Sequence, residues 1–351
     1  MKTRVIVFFC FAILLAATVI SACKKNDVPQ DETPYNPTYI SLHIPAGWPT
    51  PPTDIFAGNR PTEEGFQLGK KLFYDGRLSK DDNFPCASCH QQFAAFATFD
   101  HDFSHGFNNS FTTRNAPGLF NLAWMTKFHH DGGINHIEVQ PLAPLTAQNE
   151  MAETIENVLN KLKADTAYPK LFRYAFGSSE INSQRMLKAL AQYMGTIVSS
   201  NSKYDKVQRG ETVFTATELR GYNFFKAKCE TCHKEPLFTD NSFRNNGLAV
   251  NPFLNDYGRM LITSNKNDSL KFKVPSLRNV ALTFPYTHDG RIYSLGGVID
   301  HYRSGIITTQ PTLDPLLVNR IAITNTEKTD LLQFLNTLTD TTMTRSARFA
   351  Q

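Results

Sequence analysis

Apolar positions along this chain recur with helical spacing far more than with strand spacing. Four segments carry an amphipathic stripe long enough to predict a stable helix: 151–163, 183–199, 216–228 and 326–338. Asn149 reads as the cap of the first and Thr326 as the cap of the last. One further stretch has helical apolar spacing, Gly69-Lys70-Lys71-Leu72-Phe73-Tyr74-Asp75, and it parallels Leu219-Arg220-Gly221-Tyr222-Asn223-Phe224-Phe225 within 216–228. Sustained period-two alternation is rare, and the intervening segments are rich in Asn, Gly, Pro and Phe. The pattern predicts a mainly α-helical protein of two domains, 56–205 and 206–351.

The start of the chain has a different character. Lys2 and Arg4 precede an apolar run from Val5 to Val19, shorter than the roughly 20 residues that a membrane span needs. The run ends in Ile20-Ser21-Ala22-Cys23, a word that resembles the lipobox of bacterial lipoproteins. That resemblance implies cleavage before Cys23 and lipidation of Cys23; a plain secretory signal cut after Ala22 is the other reading. Residues 1–22 are thus expected as a signal peptide and 23–55 as a lipidated Cys with a flexible tether rich in Pro, Asn, Asp and Thr. The expected location is the cell envelope, facing the periplasm, and Lys24 in place of Asp favours the outer membrane. Hydrophobic content of 41% and charged content of 19% fit a folded domain. The net charge of +4 is spread without a basic block, which argues against a nucleic-acid surface.

Of the six cysteines, Cys10 lies in the leader and Cys23 at its end. The other four form Cys86-Ala87-Ser88-Cys89-His90 and Cys229-Glu230-Thr231-Cys232-His233. Two thiols at this spacing meet the two vinyl groups of one porphyrin, and the adjacent His ligates its iron. The motifs therefore predict two covalent c-type haems, held by Cys86, Cys89, Cys229 and Cys232, with His90 and His233 as iron ligands. A zinc site built from both pairs is the rival, and it leaves the repeated His unexplained. A redox dithiol would need a βαβ setting that the pattern lacks. No cysteine remains for a structural disulfide, and 27 Phe suit a chain that wraps large flat cofactors.

Around the motifs the chain repeats itself. Helical spacing leads into each; Arg114-Asn115 and later His130-Asp131-Gly132 follow the first, Arg278-Asn279 and later His288-Asp289-Gly290 the second. These observations predict two cytochrome-c-like domains related by an internal repeat.

Together with Arg114-Asn115-Ala116-Pro117, Phe272-Lys273-Val274-Pro275-Ser276-Leu277-Arg278-Asn279 and Pro285-Tyr286-Thr287-His288-Asp289-Gly290, the repeat resembles the bacterial di-haem cytochrome c peroxidase family from about Phe56 to Asp340. That family includes the methylamine-utilisation enzyme that oxidises tryptophans in a precursor protein. The resemblance implies that the first haem is the peroxide site and that the second accepts electrons from a small cytochrome c or cupredoxin. It implies that His105 is a distal ligand of the first haem, displaced when the second is reduced, with His101 as a competitor. Glu150 would carry the peroxide proton and Gln140 would orient it, although Glu150 could instead simply favour a helix start after Asn149. Asn115, Thr283 and Pro285 match the surroundings of a calcium ion between the haems.

Two positions depart from the peroxidase pattern. Tyr302 stands where the peroxidases place a Met on the second haem; the methylamine-utilisation branch has Tyr there, and Met260 is the alternative ligand. In Phe128-His129-His130-Asp131-Gly132-Gly133, His130 and Gly133 replace the Trp and Arg of the family's Phe-Trp-Asp-Gly-Arg. Imidazole is harder to oxidise than indole, and neither Trp48 nor Trp124 falls at this position. The leading expectation is reduction of hydrogen peroxide to water with electrons from a small redox protein. The alternatives are an oxidase that modifies a protein and a non-catalytic electron carrier or haem sensor; a homodimer is left open.

Overall fold

Helices dominate the chain, as its periodicity predicts. In the computed structural model, residues 35–351 are described, and Pro37–Gln351 belong to one unit. The expected signal peptide and Cys23 lie outside the described residues. In chain order the helices of the first half are α1 (Glu63–Phe73), α2 (Cys86–Cys89), α3 (Leu142–Thr146), α4 (Ile155–Ala164), α5 (Tyr168–Phe176) and α6 (Ser183–Gly195). The second half adds α7 (Lys203–Gln208), α8 (Ala216–Lys228), α9 (Met260–Thr263), α10 (Leu295–Asp300), α11 (Asn325–Asn336) and α12 (Thr341–Thr344). Strands β1 (Phe243–Arg244) and β2 (Phe272–Lys273) pair antiparallel, Phe243 opposite Lys273. Among the described residues no helix is long and apolar enough to cross a membrane.

Each half is organised around a helix pair in close contact. In α1, Thr62 Oγ1 accepts from Gly65 N at 3.0 Å, with Glu63 and Glu64 in the first turn and Lys70 and Lys71 in the last. Both features favour the helix dipole. Its buried face, with Phe66, Gly69, Leu72 and Phe73, packs on α6. A Cβ on Gly69 would lie 1.9 Å from Ala189 O, so the two backbones touch. In the second half, capping boxes of Thr215 with Glu218 and of Thr324 with Glu327 start α8 and α11. A Cβ on Gly221 of α8 would lie 2.0 Å from Asp330 O of α11.

Buried apolar side chains gather in two clusters. The first includes Phe66, Phe73, Phe96, Trp124, Phe172 and Leu190; the second includes Tyr204, Phe225, Phe238, Val280 and Phe334. The chain returns at its end to the first cluster, which Met343 joins and on which Phe349 packs. Tyr74 and Tyr193 both donate to Phe349 O at 2.8 Å, and Gln92 Nε2 donates to Met343 O and Ser346 O.

Three expectations change. The helix expected at 151–163 begins at Ile155, capped by Thr154, because Ala152 takes a positive φ of 53° and closes a turn back onto Ala147 O. The cap of the last helix is Thr324, and Thr326 lies inside the first turn. Within the expected tether, Ile40, Leu42 and Trp48 pack on the first cluster, and Trp124 Nε1 donates to Pro49 O at 2.7 Å. This part of the segment is packed against the fold, although exposed residues are interleaved through it.

Candidate active site

One cavity of about 1100 Å³ is lined by both C-x-x-C-H motifs. The first occupies the single turn α2 after Pro85, and His90 N closes that turn on Cys86 O. His90 Nδ1 lies 2.8 Å from Phe96 O; His233 Nδ1 lies 3.2 Å from Phe238 O and 3.2 Å from Pro275 O. Carbonyl acceptors require the proton on Nδ1, which leaves each Nε2 lone pair for a metal. Positive φ angles at Phe96 (58°) and Phe238 (56°) mark the turns that bring these carbonyls back to the ring. Burial lowers the pKa of both imidazoles, so they are held in the neutral form that ligation needs.

The four motif cysteines are free. Burial pushes the Cys86 and Cys229 thiols up to about 12, which suits neither thiolate exchange nor zinc capture. Among the described residues the cysteines do not gather with other groups into a metal cluster. A mostly apolar cavity, thiols on its wall and an imidazole nitrogen left open at each motif fit two attached haems.

Glu150, Gln140 and His105 all line this cavity. Glu150 lies in the turn between α3 and α4, five residues ahead of Ile155, so it does not start a helix. Burial alone pushes its carboxyl up. Gln140 Nε2 is 3.4 Å from His129 Nε2. The His105 side chain is exposed, and its ring is 4.8 Å from Phe111. Its loop rests on the Asn149–Glu150 backbone: Phe107 N donates to Glu150 O at 2.7 Å, and a Cβ on Gly106 would lie 2.2 Å from Asn149 O. His101 is not among the described residues that line the cavity.

Asn115, Thr283 and Pro285 also line the cavity. Asn115 Nδ2 donates to His101 O and Asp102 O at 3.1 and 3.2 Å. Tyr302 lines the cavity from a π-helical turn, His301–Gly305, and burial pushes its phenol up to about 12. Met260, on α9, is not among the described lining residues.

His130 Nε2 is 2.9 Å from Asn115 O, and burial lowers this imidazole to about 4. Lys273 on β2 was given no role by its sequence word. Its Nζ donates to Lys127 O at 2.8 Å, and burial brings the ammonium down to about 8 against the pull of Asp131. Arg114 joins Asp131 and grips Asp256 through two bonds of 2.6 and 2.8 Å.

The sequence profile of the di-haem cytochrome c peroxidase family matches residues 63–213. The methylamine utilization protein MauG of Methylorubrum extorquens is 37% identical over 283 residues, 79% of this chain and 78% of that protein. The cytochrome c551 peroxidase of Nitrosomonas europaea is 33% identical over 290 residues, 78% of this chain and 79% of that protein. A solved MauG-like protein associated with microbial copper homeostasis superposes with a TM-score of 0.81 at 33% identity, covering 89% of this chain and 99% of its own. The diheme peroxidase BthA of Burkholderia thailandensis, at 21% identity and a TM-score of 0.71, shares the fold. With relatives this similar across most of its length and two haem-attachment motifs on one cavity, the chain belongs to the di-haem cytochrome c peroxidase family, oxidoreductases that carry two haem c groups.

Proposed function

We propose that this protein reduces hydrogen peroxide to water with electrons from a small redox protein, and that peroxide binds in the first half. The observation that carries this reading is Glu150: a carboxyl raised by burial on the cavity wall, outside any helix, beneath the His105 loop. Attached haem supplies the iron for peroxide cleavage at His90 and one of the two electrons at His233. Glu150 would take a proton from one peroxide oxygen and return it to the other as it leaves, for which a raised carboxyl is suited. The Gln140 amide holds the peroxide in line. His105, exposed on a loop whose anchors are Gly106 and Phe107, can swing aside while those backbone contacts stay in place.

Asn115 commits its amide N–H to two carbonyls, which leaves its oxygen for a calcium ion together with Thr283 and Pro285. The same proposal keeps the chain at the cell envelope through a lipid on Cys23. It also treats the two halves as repeats of one haem-binding unit. Phe128 bridges Ile134 as Tyr286 bridges Ile292, and between them His129 and Thr287 both take positive φ, 66° and 82°. Asp131 and Asp289 are both buried inside these turns.

The test is Glu150→Gln. Peroxide turnover falls by a factor on the order of 10² to 10⁴, while intact mass still shows both haems. Undiminished turnover in that variant removes the acid–base role. Oxidation of a partner protein is the second reading, favoured by Tyr302 on the cavity wall. Turnover of peroxide that requires such a partner, with no response to a reduced cytochrome or cupredoxin, selects it.

A further inference from the structure

We propose that His129 is a third polar group on the peroxide-binding face of the first haem site, contacting the bound ligand through Nε2 beside Gln140. The inference rests on the peroxidase reading above and adds a residue to it. The two adjacent histidines have different partners. Both line the cavity, but His130 is tied to Asn115 O at 2.9 Å, whereas His129 Nε2 lies 3.4 Å from the Gln140 amide nitrogen. His129 shares the cavity wall with His90, Gln140 and Glu150 of the first half.

The backbone holds it there. His129 has a φ of 66°, a left-handed conformation that is strained for a residue with a Cβ. Phe128 N to Ile134 O at 2.7 Å and Gly132 N to His129 O at 3.4 Å close the turn, with Phe128 buried at its start and Asp131 buried inside it. Against the family's Phe-Trp-Asp-Gly-Arg, with His130 at the Trp, His129 falls at the Phe. A hydrogen-bonding imidazole therefore stands where the pattern has an apolar ring.

The chemistry is that of a neutral imidazole. The Gln140 amide donates to Nε2 when no ligand is present; when a small protic ligand enters, its O–H or H–C proton takes that lone pair. Gln140 is then released to face the ligand's other end. Hydrogen cyanide is the convenient probe, because its proton must pass to a base when cyanide binds iron.

The experiment is a cyanide titration of the half-reduced protein with both haems attached, followed in the optical spectrum of the first haem. His129→Phe is expected to weaken cyanide binding about tenfold, with haem content and the second haem's spectrum unchanged. His129→Asn, which tolerates a positive φ but is too short to reach, gives the same loss if the Phe variant folds poorly. His129→Gln recovers part of it. Affinity indifferent to all three substitutions overturns the inference alone, and tighter binding in His129→Phe overturns it by making His129 an iron ligand or a plug. A wild-type protein that binds no cyanide overturns the peroxide reading and this inference with it.

Discussion

Tyr302 is held on a π-helical turn with a phenol that burial keeps protonated until something pairs with its charge. An oxygen ligand that turns anionic on iron favours the ferric state, and a thioether favours the ferrous one. Tyr302→Met is expected to raise the second haem's potential by on the order of 0.1 V, part of the roughly 0.8 V that axial ligands span. The first haem's potential stays put. A spectroelectrochemical titration in which neither midpoint moves assigns the ligand elsewhere. At this scale the motif residues Cys86, Cys89, His90, Cys229, Cys232 and His233 stand out in the sequence because covalent attachment demands their spacing, and all six line one cavity. Glu150 stands out in the sequence only by resemblance, and the turn at Ala152, which separates it from α4, removes the competing helix-start role. Lys273 and His129 carried no such signal, since what sets them apart is burial and a neighbour far away in sequence.

Among the elements, the contact of α8 with α11 depends on one missing methyl group. Placing a Cβ on Gly221, 2.0 Å from Asp330 O, forces the helices apart. Gly221→Ala is expected to destabilise the protein by about 1–3 kcal/mol, more than the roughly 1 kcal/mol that Ala gains over Gly in helix propensity. Thermal melts of the haem-loaded protein measure the balance; a higher melting temperature would show that the pair re-spaces freely. The long helices were legible from their apolar stripes, and their starts were less so. Thr324, Asn325 and Thr326 are all competent caps, and Glu327 decides among them by completing a box with Thr324 alone. Helix α5 escaped notice because its cap position is Ala167 and its stripe is short; Gly177, in the left-handed region at its end, was the available sign.

At the scale of the whole molecule, Arg278 is the central ion. It is fully buried, donates to both Asp205 oxygens at 2.8 and 2.9 Å, and lies 4.4 Å from the Trp48 ring. Burial opposes ionisation of Asp205, but hydrogen bonds and charge from Arg278 outweigh it and hold the carboxyl below its ordinary range. A carboxyl whose folded pKa lies below its unfolded one contributes stability above the unfolded value and loses it as pH falls through the folded one. Urea melts are therefore expected to weaken below about pH 4. Asp205→Asn should lose about 3 kcal/mol at neutral pH by leaving the guanidinium without its counter-charge, and should flatten that acid slope. An unchanged acid slope in the variant places the sensitive carboxyls elsewhere.

The carboxyl-terminal tail reaches back to the amino-terminal half, where Phe349 O receives both Tyr74 and Tyr193 and Gln92 holds Met343 and Ser346 beside the first attachment motif. Translation runs the other way. The half that is made earlier therefore completes its apolar packing only when Met343 and Phe349 have been made. A stop codon ahead of Met343 would remove these contacts and leave one side of the first apolar cluster uncovered.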